Sequence, residues 1–148
     1  MWFTLSKKPS LPKEEEYRIV QAIRHAESQC TAELRVHLGG KPKESPLQEA
    51  TRLFHKLGMQ KTAARNGVLI YVSLASRQFA IIGDEGIHKH VQENFWQDVK
   101  TEMQVLFQKE QVADAIIHGI QRAGEQLMIH FPATGHNPNE LTDEISRG

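Results

Sequence analysis

The stretch from Arg65 to Val91, RNGVLIYVSLASRQFAIIGDEGIHKHV, decides how the rest of the chain is read. Val68 to Val72, with Leu74, forms a nearly unbroken apolar run rich in β-branched residues, the pattern of a central strand covered on both faces. A second, shorter apolar run covers Phe79 to Ile82. The polar link between them, Ser73 to Arg77, lacks an Asn-Gly pair, so the spacing predicts a hairpin with a three- to five-residue loop. The second strand closes on Gly83-Asp84-Glu85-Gly86, a corner that leads into a helical turn from Gly86 to Val91.

Upstream of the hairpin, Lys13 to Ser28 has Ile19, Ile23 and Ala26 at helical spacing, and its first turn holds Glu14, Glu15 and Glu16, where negative charge favours the positive end of the helix dipole. Thr31 to Leu38 then alternates Ala32, Leu34, Val36 and Leu38 with Glu33, Arg35 and His37, which predicts a strand with one polar face. That face reads as the solvated side of an edge strand. Were helices to cover both faces, its charges would be partly buried and in need of partners. After the Gly39-Gly40 connector, Ser45-Pro46-Leu47-Gln48 is a capping-box helix start with Pro at the first position. That helix is expected to bury Leu47, Ala50, Leu53, Phe54 and Leu57 and to stop at Gly58.

Downstream, Phe95, Trp96, Val99, Met103, Leu106 and Phe107 mark a helix to about Lys109, and Val112, Ile116, Ile120, Ala123 and Leu127 mark another from Gln111 to about His130, with Gly119 allowing close approach. The order α-β-α-β-β-α-α, with one β-α-β crossover and one hairpin, predicts an α/β three-layer αβα sandwich with a small mixed sheet. Three strands are the minimum; Phe3 to Ser6 offers a fourth. Residues 1–131 form one expected domain, and 132–148, rich in Pro, Gly and Asn at its start, reads as a mobile tail.

Composition narrows the function classes. Lys plus Arg and Asp plus Glu are both 18, which argues against nucleic acid as a partner. Lys56, Lys61 and Arg65 read as a solvated basic loop. The single cysteine, Cys30, excludes an internal disulfide and a cysteine-based zinc site, and its place at the end of a helix face predicts burial. No segment approaches the ~20 apolar residues of a membrane span.

The corner Gly83 to Gly86 is the best candidate for chemistry. Two carboxylates between two glycines can offer oxygen ligands to calcium or magnesium, with Asn66 and Glu33 as further contributors. The competing reading makes Asp84 a helix cap. His88 and His90, two apart, point in different directions on a helix and do not grip one ion; His88 beside Asp84 is an acid/base pair at most. No nucleophile elbow, phosphate loop or metalloprotease helix motif is present in the sequence.

The Asn-Gly that opens an apolar strand, the Arg77 turn, the strand closing on Gly-Asp-x-Gly-Ile, the upstream Thr31-Ala32-Glu33-Leu34-Arg35-Val36-His37 and the downstream Asn94-Phe95-Trp96 together resemble the TPM domain, found in thylakoid lumen, photosystem II repair and MOLO-type proteins. The likeness runs from about Lys13 to Phe131. It implies a helix-covered sheet and, since members include calcium binders whose acidic ligands lie in loops at the sheet ends, supports a cation at this corner. The expected protein works by contact with an unknown protein partner, with calcium or magnesium at Asp84, Glu85, Asn66 and Glu33 and no organic cofactor. Several members carry an acid in the hairpin turn, where this chain has Ala75 and Ser76. Some have been described as weak acid phosphatases, so metal-dependent phosphatase chemistry at Asp84 and Glu85 is the enzymatic alternative. Many members are exported or membrane-tethered; with neither device visible, the expected location here is the cytoplasm.

Overall fold

The computed structural model describes residues 10–134 and 145–147. The chain runs through α1 (Lys13–Ser28), β1 (Leu34–Leu38), α2 (Pro46–Lys56), a 3-10 turn (Met59–Lys61), β2 (Val68–Ser73), β3 (Gln78–Gly83), α3 (Glu85–His88), α4 (Phe95–Gln108), α5 (Val112–His130) and β4 (Ser146–Arg147). The four strands form one sheet in the order β3-β2-β1-β4. β1 runs parallel to β2 and to β4, and β2 runs antiparallel to β3. The sheet is therefore mixed, with helices on both faces: the α/β three-layer sandwich that the pattern predicts.

Local sequence explains most element boundaries. Ser45 accepts a hydrogen bond from the Gln48 N–H at 3.1 Å and Pro46 opens α2, as the capping-box pattern requires. Gly58, in the left-handed region at φ 72°, follows the end of α2. The hairpin loop holds the four residues between Ser73 and Gln78 and turns back through Arg77 at φ 57°. The ring of Ser73 to Ser76 contacts, with the Ser76 N–H donating to Ser73 Oγ at 3.2 Å, replaces the Asn-Gly chemistry that a tighter turn would need.

Alternation along the strands divides the core in two. Leu34, Val36, Val68, Ile70, Val72, Phe79 and Ile81 face α1, α4 and α5 in the larger cluster. Leu69, Tyr71 and Ala80 face Ala50, Leu53 and Phe54 of α2 and Met59 in the smaller one. α5 lies between α1 and α4, and Gly119 makes that approach close: a Cβ there would stand 2.7 Å from Met103 Sδ and 3.2 Å from Ile70 Cδ1.

Three expectations change. The fourth strand comes from the C-terminal end: Ser146 and Arg147, in the stretch read as a mobile tail, pair with His37 and Leu38. Ile145 is buried beside them, which gives this short segment the apolar contact that its weak periodicity understated. Phe3 to Ser6 lies outside the described residues. Second, with neighbours on both sides β1 is not an edge strand, and Glu33, Arg35 and His37 are all buried instead of solvated. Burial lowers the pKa of Arg35 and that of His37, the latter helped by the Arg35 charge, because desolvation disfavours the cationic form of each. His37 Nδ1 lies 2.9 Å from Ser146 Oγ, so β4 also supplies a polar partner to this face. Third, Leu47 is 58% exposed, although the α2 pattern places it with the core. Cys30 is buried as expected, and burial pushes its thiol pKa up.

Candidate functional site

The β3-to-α3 corner is built from the backbone outward. The Asp84 N–H donates to the Gly67 carbonyl at 2.9 Å, which continues the β2–β3 ladder one step past Gly83. Two residues later the Gly86 N–H donates to the Arg65 carbonyl at 2.7 Å. That approach needs glycine, since a Cβ at residue 86 would stand 2.2 Å from the Ala64 carbonyl oxygen and 2.4 Å from that of Arg65. Arg65 itself sits at φ 52°, in the left-handed region. The loop before β2 is thus clamped onto the start of α3, and the clamp fixes where the Arg65 side chain goes.

It goes to Asp84. Arg65 Nε donates to Asp84 Oδ2 at 2.8 Å and Nη2 donates to Oδ1 at 3.1 Å, a bidentate pairing of guanidinium and carboxylate. Oδ1 also accepts the Glu85 N–H at 2.8 Å, so Asp84 caps α3. The Asp84 side chain is buried while Arg65 remains 41% exposed, and the carboxylate holds the Arg65 pKa above its ordinary value. Glu85 projects into solvent with one oxygen 3.4 Å from Arg65 Nη1. Arg65 therefore belongs to the corner, not to a solvated basic loop.

The other two residues expected to contribute to an ion site lie elsewhere. Asn66 is buried and its Nδ2 donates to Thr31 Oγ1 at 3.4 Å. Glu33 is buried on the lead-in to β1, where its carbonyl accepts the Val68 N–H at 3.0 Å. Glu33, Gly67 and Asp84 thus follow one another across the sheet end, which sets Glu33 and Asp84 two strand spacings apart, roughly 10 Å. Among the described residues no group of three or more His, Cys, Asp or Glu side chains is placed to hold a metal ion. In this arrangement the corner is a poor fit for a hard cation: both Asp84 oxygens already accept strong hydrogen bonds, one guanidinium offsets the charge, and only Glu85 remains to bind.

His88 is exposed, and its Nδ1 accepts the Trp96 indole N–H at 3.2 Å, so its ring turns to Trp96. His90 stacks on His130 with ring centroids 4.7 Å apart. α3 ends at His88 and His90 lies in the turn beyond it, so the two histidines face different neighbours.

Beside the corner lies an open cleft of about 510 Å³. One wall is α2, through Leu47, Thr51, Phe54 and His55. The floor is the end of β3, and the far wall is His88 and Trp96, with Arg65, Asp84 and Glu85 at one end. Glu33, Arg35 and His37 are not among its lining residues. The sequence pattern carries no sign of this cleft: Leu47 sits in phase with core residues of α2 yet is exposed, and Trp96, half-buried against the larger cluster, lines the cleft as well.

The TPM domain family model, labelled TPM phosphatase, matches residues 8–126. A solved structure, the NMR structure of the BA42 protein from the psychrophilic bacterium Bizionia argentinensis, is 36% identical; the match covers 97% of this chain and 99% of that one, with a TM-score of 0.87. No curated protein matches the chain. The chain belongs to the TPM domain family. Among the described residues no helix is long and apolar enough to cross a membrane.

Proposed function

We propose that this chain is a non-enzymatic TPM domain that acts by protein contact, through the cleft between α2, the end of β3 and Trp96. The observation that supports this reading most directly is the exposure of Leu47 at the mouth of a cleft whose buried carboxylate, Asp84, is already engaged by Arg65. A cleft lined mainly by apolar side chains, with an exposed leucine at its rim, favours a macromolecular partner. A carboxylate whose two oxygens are both occupied by arginine and a backbone N–H is not free to orient a water or bind an ion, which weighs against hydrolysis at the same place. The proposed compartment is the cytoplasm, where a chain with one buried cysteine needs no oxidising environment.

Calcium or magnesium, on this reading, takes Asp84 and Glu85 only in place of Arg65. Arg65→Gln should then raise the affinity of the corner for either ion. Ion at ~100 times its dissociation constant adds about 2.7 kcal/mol to stability, so a thermal upshift larger in Arg65→Gln than in the wild type is the expected result. An equal or absent shift in both proteins removes the cation from the account.

A photo-crosslinking residue at position 47, compared with one at the exposed Tyr17 on α1, tests the contact itself. Discrete protein adducts in cells at position 47 and none at position 17 are expected. The phosphatase alternative predicts turnover of an aryl phosphate that is lost in Asp84→Asn; adducts equal at both positions together with such turnover would reverse the assignment.

A further inference from the structure

We infer that the cleft takes its partner as an added β-strand: an extended segment, apolar at alternate positions and carrying one basic residue, pairing with β3. The inference rests on the protein-contact reading and names the form of the partner.

β3 is an end strand of the sheet among the described residues. Its ladder to β2 fixes which backbone groups are used. Gly67 and Asp84 stand opposite each other and share a hydrogen bond, in register with Leu69 opposite Ile82 and Tyr71 opposite Ala80. In an antiparallel pair, hydrogen-bonded and non-bonded positions alternate. Ile81, opposite Ile70, and Gly83, opposite Val68, are therefore the non-bonded positions, and their N–H and C=O groups point away from β2. Ile81 and Gly83 both line the cleft, together with Ile82 from the opposite face, so the cleft opens onto the strand edge itself.

The two walls match a strand. α2 overhangs one face of the sheet at Leu47 and Phe54, and Trp96 lies against Gly83 on the other. A chain between them would place alternate side chains against Leu47 and Ile82 on one side and against Trp96 on the other. Donors and acceptors repeated at every second residue are what an extended backbone supplies and what a helix, whose groups are internally paired, does not. Charge adds direction. Asp84 and Glu85 against Arg65 leave one net negative charge at the corner end, held by the 73%-exposed Glu85 carboxylate, which favours a lysine or arginine in the segment at that end.

The test selects a phage-displayed library of linear octapeptides on the full chain. A selected peptide is then synthesised with normal amides and with N-methyl groups at alternate positions, which remove donors without altering side chains. The expected result is selected sequences with alternating apolar residues and one basic residue. N-methylation in one phase should weaken binding by about tenfold or more, from the loss of backbone hydrogen bonds, and in the other phase should leave it unchanged. Amide hydrogen exchange at Ile81 and Gly83 should slow on binding. Leu47→Asp should weaken the peptide, and Glu85→Gln should reduce the salt dependence of binding. No enrichment, helical binders, or insensitivity to N-methylation in both phases overturns strand addition. Binders of that kind with adducts still specific to position 47 leave the protein-contact reading standing, whereas loss of the adducts overturns both. A dimer by sedimentation in which exchange at Ile81 and Gly83 is slow without peptide would assign the edge to a second copy of the chain and overturn the inference.

Discussion

The two faces of the sheet are covered very differently. One packs against three helices, α1, α4 and α5, and its cluster extends from Ile19 to Ile145. Among the described residues the other packs against α2 and Met59 over β2 and β3, and over β1 carries the buried Arg35 and His37. A face backed by three helices holds its strands in place with interlocked side chains. A face backed by one helix leaves the sheet edge reachable, and the cleft lies there. The same sheet is thus anchored on one side, while among the described residues β3 is its outer strand, with the Arg65–Asp84 clamp at the end.

The contrast can be broken most directly by cutting into each face. Ile70→Ala removes a fully buried side chain from the three-helix face and should cost about 2–5 kcal/mol. Leu69→Ala, equally buried under α2, should cost less, because a single helix can settle into the gap. Urea midpoints that fall equally would mean the two faces are equally rigid. Gly86→Ala puts a Cβ against two backbone oxygens and should cost about 1–3 kcal/mol while releasing the corner. An unchanged thermal midpoint would show that the clamp is soft.

Asp84→Ala removes the α3 cap, a loss of about 0.5–2 kcal/mol, and also the acceptor for Arg65. Chemical denaturation read beside the Arg65 environment by NMR would separate the two effects. His37 sharpens the polar side of the comparison. Its pKa is lowered in the folded chain, first by burial and then by Arg35, with Arg52 and Lys56 adding in the same direction and Glu49 opposing. The unfolded chain therefore binds a proton more readily below the ordinary value of 6.5. The stability from neutral, buried His37 is present above that value and is lost as pH falls through the lowered one. His37→Gln should flatten this part of the pH profile, and an identical slope would remove His37 as its source. Leu47→Ala should move stability by no more than about 0.5 kcal/mol, since the side chain is already exposed. A larger loss would return Leu47 to the core and close the proposed contact.

Much of this architecture was legible before any coordinates. Periodicity marked α1, α2, α4 and α5, the capping box located the start of α2 at Ser45, and the apolar runs located the central hairpin. Each of these signals is local, because a helix face or a strand alternation is written in adjacent residues. β4 was not legible, since its two residues become a strand only by pairing with β1, far away in sequence. The sequence left the burial of Glu33, Arg35 and His37 open for the same reason: whether a polar strand face is solvated depends on its neighbours.

At the candidate site the division is sharper. The sequence determined that a carboxylate pair lies between two glycines at a strand-to-helix corner, because glycine spacing and the hairpin pattern fix the local path. It could not say that Asp84 faces Arg65, 19 residues earlier, because the pairing depends on a left-handed residue and on a backbone approach that only Gly86 permits. Nor could it separate Leu47 from Ala50 and Phe54, which share its helix face. Periodicity tells which side of a helix is apolar. Only the tertiary structure decides how far the sheet beneath it extends, and that boundary is what leaves Leu47 exposed beside a cleft that Trp96 also lines.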